Sequence, residues 1–113
     1  MQASAGTPTA GHNGTILFST ELSQKTWLIT VYSPDRDKFS HYKVPGGDHV
    51  ALLALIDRIR DRVERQLGYR PAVVSCYEAG YDGFWLHRLL LAAGITNYVF
   101  DPASIAVEQR HRR

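Results

Sequence analysis

The stretch VPGGDHVALLALIDRIRDRVERQLGYRPAVVSCYEA, Val44 to Ala79, decides the fold because its side-chain period changes within it. Leu52, Ile56, Ile59, Val63 and Leu67 recur at spacings of three and four, and Leu53 and Leu55 widen the stripe. Asp57, Arg58, Arg60, Asp61, Arg62, Glu64 and Arg65 fill the rest. This is the 3.6-residue period of an amphipathic helix. Asp48 stands where the helix needs an N-cap and Gly68 where it needs a C-cap. Before it, Pro45-Gly46-Gly47 ends an extended segment; after it, PAVVSCYEA is short, apolar and β-branched, the composition of a mostly buried strand.

Upstream, ILFSTEL and TWLITVYS are two runs rich in β-branched and aromatic residues, separated by Ser23-Gln24-Lys25, and KFSHYKVP follows the polar turn Pro34-Asp35-Arg36-Asp37. They predict three strands joined by tight turns. Downstream, DGFWLHRLLLAAG predicts a second helix ending at Gly94, and TNYVFDP a last strand. The order β-β-β-α-β-α-β is a meander followed by βαβ units, which predicts an α/β fold with a mixed sheet and helices packed on it.

A chain of 113 residues holds one domain with a core of its own. Residues 1–14, small, polar and free of Asp, Glu, Lys and Arg, read as a flexible leader. Residues 15–107 form the domain and 108–113 a basic tail. No apolar run is long enough to suggest a membrane span, and no secretory signal opens the chain. The single cysteine rules out an internal disulfide and fits a reducing cytoplasm, the expected compartment. The net charge of +2 does not identify a nucleic-acid binder, but Arg110, Arg112 and Arg113 cluster in a way suited to phosphates; a solvated terminus is the alternative.

In an extended strand, Ala72, Val74, Cys76 and Glu78 share one face and Val73, Ser75 and Tyr77 the other. Glu78 therefore stands at the carboxyl end of a strand and before a helix, where ligands collect in α/β sheets, and Gly80 and Gly83 relieve crowding there. Glu21 has a similar setting after ILFST. If the two strands are neighbours, the two carboxylates converge, with hard oxygen donors that suit Mg²⁺ or Mn²⁺. Capping or solvation of each acid is the alternative reading.

The stretches VVSCYEAGYDGFWLHRLLLAAGITNYVFDPASIAV and ELSQKTWLITVYSPDRDKFSHYKVPGGD together resemble the N-terminal domain of the DEDD insertion-sequence transposases, the insertion sequence 110 family. The likeness runs from about Thr15 to Val107. It implies an RNase H-like, RuvC-type fold in which an acidic tetrad holds Mg²⁺ for DNA strand cleavage and transfer. It also implies a structured guide RNA as partner and a second domain that supplies a serine. Glu78 matches the family's glutamate; Glu21 stands where an aspartate is expected and carries one methylene more. The last two acids belong to a Lys-Thr-Asp motif expected after the basic stretch, and the chain stops at Arg113 without them. Asp101, in the DPAS turn, reads as a capping residue rather than a substitute. Half a tetrad implies weak Mg²⁺ binding and no cleavage by this chain alone. A non-catalytic nucleic-acid-binding fragment or an inert remnant of a disrupted element are the alternative functions; self-association is left open.

The remaining candidates point to structure. Cys76 reads as a small core residue, Trp27 and Trp85 as core anchors, and His87 with Arg88 as a solvated helix edge, with nucleic-acid contact as its alternative. His12, His41, His49, His87 and His111 show no paired ligand spacing, so no zinc site is expected. The acids on the first helix balance its arginines, as on a solvated face.

Overall fold

A computed structural model describes residues 14–80 and 84–101; the basic tail, nearly all of the leader and Gly83 lie outside the described residues. The elements are β1 (Thr15–Glu21), β2 (Thr26–Ser33), β3 (Lys38–Pro45), α1 (His49–Leu67), β4 (Ala72–Glu78), α2 (Trp85–Ala92) and β5 (Thr96–Phe100). Across the five-stranded sheet they stand in the order β3-β2-β1-β4-β5, so chain order and sheet order part at β1. β2 is antiparallel to both β1 and β3, while β4 runs parallel to both β1 and β5. The sheet is mixed, as the element order predicts, and the Cys76 strand lies beside the first strand. The helical crossovers cause this. α1 carries the chain from edge strand β3 over two strands to β4, and α2 carries it from β4 to its neighbour β5.

Both ends of α1 bear out their sequence signals. The Asp48 carboxylate accepts a hydrogen bond from the Ala51 N–H at 2.9 Å, and Gly68 turns left-handed (φ 85°) while its N–H donates to the Glu64 carbonyl. Gly46 is required for a different reason: a Cβ there would meet the Gln24 carbonyl oxygen at 2.3 Å. The end of β3 thus presses on the β1–β2 turn, and the Gly46 N–H donates to the Lys25 carbonyl.

The second helix is shorter than its sequence pattern. It begins at Trp85, and Phe84 before it offers no capping side chain. Its end is closed by Gly94 (φ 81°), with the Gly94 N–H bonded to Leu91 O and the Ile95 N–H to Leu90 O, both at 3.0 Å. Leu90 and Ile95 are both buried, supplying the apolar contact that accompanies such a closure.

One face of the sheet is covered. Ile16, Phe18, Trp27, Ile29, Val31, Val73 and Tyr77 join Leu52, Leu55, Ile56, Ile59 and Val63 of α1 and Leu86 and Leu90 of α2 in a single core. The alternate side chains on the same strands, Leu17, Ser19 and Glu21 of β1 and Ala72 and Glu78 of β4, are exposed. This corrects the expectation for Cys76. Its strand is buried on alternate positions only, and Cys76 itself is half-buried on the open face, because both helices pack on the other. A small maleimide should therefore label native protein to one adduct at Cys76 without loss of its circular dichroism; labelling that requires denaturant would put Cys76 back in the core.

His87 is a second correction. Its N–H donates to the Tyr77 hydroxyl at 3.0 Å, and its Nδ1 lies 2.9 Å from Asn97 Nδ2, so it joins α2 to β4 and β5 instead of edging into solvent. Arg88 is exposed. Of the two tryptophans, Trp27 is fully buried and Trp85 packs against the core only partly buried.

Candidate functional site

The register of the parallel pair sets the site. Ser19 stands opposite Cys76 and Thr20 opposite Tyr77, so Glu21 and Glu78 follow as the terminal residues of adjacent parallel strands. Parallel strands end together, and the two chains turn away there, which leaves a hollow that neither backbone fills. Glu21 and Glu78 both line a cavity of about 430 Å³ with Ser19, Thr20, Leu22, Tyr77, Ala79, Gly80 and Phe100. Both acids are exposed.

The rim is fixed on one side by the Ala79 N–H, which donates to the Phe100 carbonyl at 2.8 Å and holds the chain after Glu78 against the end of β5. Gly80 does not relieve crowding as its position suggested. A Cβ there would meet only the Glu78 carbonyl oxygen, at 4.0 Å. Among the described residues no group of three or more His, Cys, Asp or Glu side chains is assembled to hold a metal ion, and no helix is long and apolar enough to cross a membrane. Arg110, Arg112 and Arg113 lie outside the described residues.

A second cavity, of about 300 Å³, opens on the other side of Glu21 and is lined by Glu21, Ser23, Thr26, Leu28 and Lys43. Sequence reading passed over Lys43. Its place depends on two strand registers at once, Glu21 opposite Leu28 and Leu28 opposite Lys43, and a basic residue on an edge strand is otherwise unremarked.

No protein-family model matches the sequence. Over 102 residues the chain is 43% identical to a protein of Sinorhizobium fredii (strain NBRC 101917 / NGR234) named "Putative transposase y4rJ". The match covers 88% of this chain and 26% of that protein, so the chain spans about a quarter of its relative's length. Identity at this level over nearly the whole chain gives it a transposase relative. Among solved structures, the ethanolamine utilization protein EutJ from Carboxydothermus hydrogenoformans is similar with a TM-score of 0.47 at 11% identity, covering 76% of this chain and 36% of that one.

Proposed function

We propose that this chain is the N-terminal, RNase H-like (RuvC-type) portion of a DEDD insertion-sequence transposase of the insertion sequence 110 family, with DNA as substrate. Glu21 and Glu78 are then two of the acids that hold Mg²⁺. The observation that supports this reading is the placement of both carboxylates at the ends of adjacent parallel strands, in one cavity, in a chain with a transposase relative.

The donors fit the ion in kind and fall short in number. Carboxylate oxygens are the hard ligands Mg²⁺ takes, but the ion favours near-octahedral coordination and gives up water reluctantly. Two carboxylates bind it weakly and leave most positions to water. Bound there, the ion would offset the negative charge of a scissile phosphate. The chain's own contribution is to bring the backbones of the two acids side by side on paired strands. Arg110, Arg112 and Arg113 add a basic cluster for the phosphates of DNA or of a structured guide RNA.

The shortage of donors favours a second reading, a nucleic-acid-binding unit without cleavage of its own. Two measurements separate the readings from each other and from an inert chain. Mn²⁺ titration followed by electron paramagnetic resonance is expected to show weak, millimolar binding that Glu78→Gln abolishes. Unchanged binding in Glu78→Gln would remove Glu78 from the metal site. In a nicking assay on supercoiled DNA with Mg²⁺ or Mn²⁺, the chain is expected to bind weakly and not to cut. With three arginines engaged, log K should fall with log salt with a slope of about three on duplex DNA. Metal-dependent nicking that disappears in Glu78→Gln would show that these acids suffice.

A further inference from the structure

The two cavities at the strand ends share Glu21 as a lining residue, and a ligand long enough to enter both would use them as one trough. Its residues come from all five strands in register: Phe100 of β5 opposite Glu78 of β4, then Glu21 of β1, Leu28 of β2 and Lys43 of β3. At the usual strand spacing the row spans about 19 Å from Phe100 to Lys43, with Lys43 about 10 Å from Glu21. That is room for a few nucleotides laid across the sheet.

The chemistry along the row is ordered. The two carboxylates stand together, an aromatic ring lies one strand to one side, and a cation lies two strands to the other. Phe100 keeps 45% of its surface exposed, and other large apolar side chains such as Phe39 and Phe84 are exposed as well; its ring is open to a ligand in the cavity it lines. Lys43 is exposed and makes no ion pair among the described residues. Arg60 Nε donates to the Pro71 carbonyl at 2.8 Å, and Arg62 and Arg70 pair with acids, whereas Lys25, Lys38, Arg58, Arg65 and Arg88 resemble Lys43 in making no ion pair among the described residues; what sets Lys43 apart is the cavity it lines with Glu21. Lysines on an edge strand, here Lys38 and Lys43, also serve to block sheet-to-sheet association. That role does not require a cavity shared with Glu21.

We propose that a single nucleic-acid strand lies along this trough, across the strand ends. Lys43 neutralises a phosphate flanking the one held at Glu21 and Glu78, and a base stacks on Phe100. The inference rests on the metal-site reading above and adds the path of the strand. The ring decides for a single strand over a duplex, since paired bases present no free face for stacking. The acids alone repel phosphate, so the path also requires a divalent cation between them and the strand.

The test is fluorescence anisotropy of a labelled oligothymidylate octamer with the full chain in Ca²⁺, over a range of salt. Lys43→Ala is expected to weaken binding and to lower the slope of log K against log salt by about 0.7, the value for one phosphate contact on a single strand. Lys43→Arg should restore the slope. Phe100→Ala should weaken binding roughly tenfold at every salt concentration and leave the slope unchanged. A wild-type slope in Lys43→Ala, equal binding of a blunt duplex with the same dependence on Phe100, or no binding by the wild-type chain at low salt would each overturn the proposal. Glu78→Gln separates the two inferences. Loss of the Ca²⁺ dependence in that variant with no effect of Lys43→Ala keeps the metal site and removes the path; the converse keeps Lys43 as a phosphate contact and removes the metal.

Discussion

Replacing Trp27 by alanine is expected to cost about 3–5 kcal/mol of stability, the range for deleting a large aromatic from a packed core. Trp27 is fully buried, its ring centroid lies 6.2 Å from that of Trp85, and it belongs to the same core as α1. Small domains hold about 5–15 kcal/mol in all, so the variant should lose about a fifth of its margin or more. Trp27→Phe should cost much less than the alanine variant. The Trp27 Nε1–H has no hydrogen-bond partner among the described residues, and an unpaired buried donor itself costs about 1–3 kcal/mol. Phenylalanine leaves a smaller void and removes that donor. Urea denaturation of the three proteins decides the matter: equal losses in the two variants would mean that the indole N–H is satisfied after all. The loss should reach the site, because Trp85 opens the helix that follows the Glu78 strand, and a looser contact there loosens the rim of the cavity.

The element order was legible wherever one local signal dominated. α1 carried a stripe, an N-cap and a C-cap that all agreed, and each appears in the structure. The pairing of β1 with β4 stood in the sequence only as the condition for Glu21 and Glu78 to converge, and their adjacency follows once the parallel register is in place. Where two elements had to be known together, the sequence was silent. AVVSCYE is apolar enough for a parallel strand buried on both faces, yet both helices pack on one side, so Cys76 stands half-open. His87 looked like a solvated helix residue because its partners, Tyr77 and Asn97, lie on two other elements. Lys43 needed two hairpin registers before its position in the row of Glu21 could be seen. The arginines of α1 looked like a solvated face balanced by their neighbours; Arg60 instead reaches the Pro71 carbonyl, and one further arginine pairs with a shielded acid.

That arginine is Arg62, and its replacement by alanine is the second large effect expected. Arg62 Nε lies 3.2 Å from Asp35 Oδ2, its Nη2 donates to the Ser33 hydroxyl, and that hydroxyl in turn donates to Asp35. The Asp35 side chain is only 4% exposed and that of Arg62 22%, so the pair is shielded from water and ties the β2–β3 turn to α1. Burial alone would raise the Asp35 pKa, but the hydrogen bonds from Ser33 and Arg62 and the nearby positive charge outweigh it, and the carboxyl is held below its usual range. Arg62→Ala leaves that carboxylate buried without its cation, at an expected cost of about 2–4 kcal/mol at neutral pH. The pH dependence has a definite sign. A group whose folded pKa lies below its unfolded value of about 3.9 stabilises the fold fully above that value, and the stabilisation is lost as pH falls through the folded pKa. In Arg62→Ala the carboxyl titrates higher, so protonation relieves the variant before it harms the wild type. The gap between the two proteins in urea midpoint should therefore be widest near neutrality and shrink below about pH 4. Asp35→Ala in the Arg62→Ala background should add no further loss and recover part of it, because the charge left unpaired is then removed. A gap that stays constant from neutral to acid pH, or full additivity in that double variant, would assign the loss at Arg62 to its aliphatic stem packing on the turn and not to the ion pair.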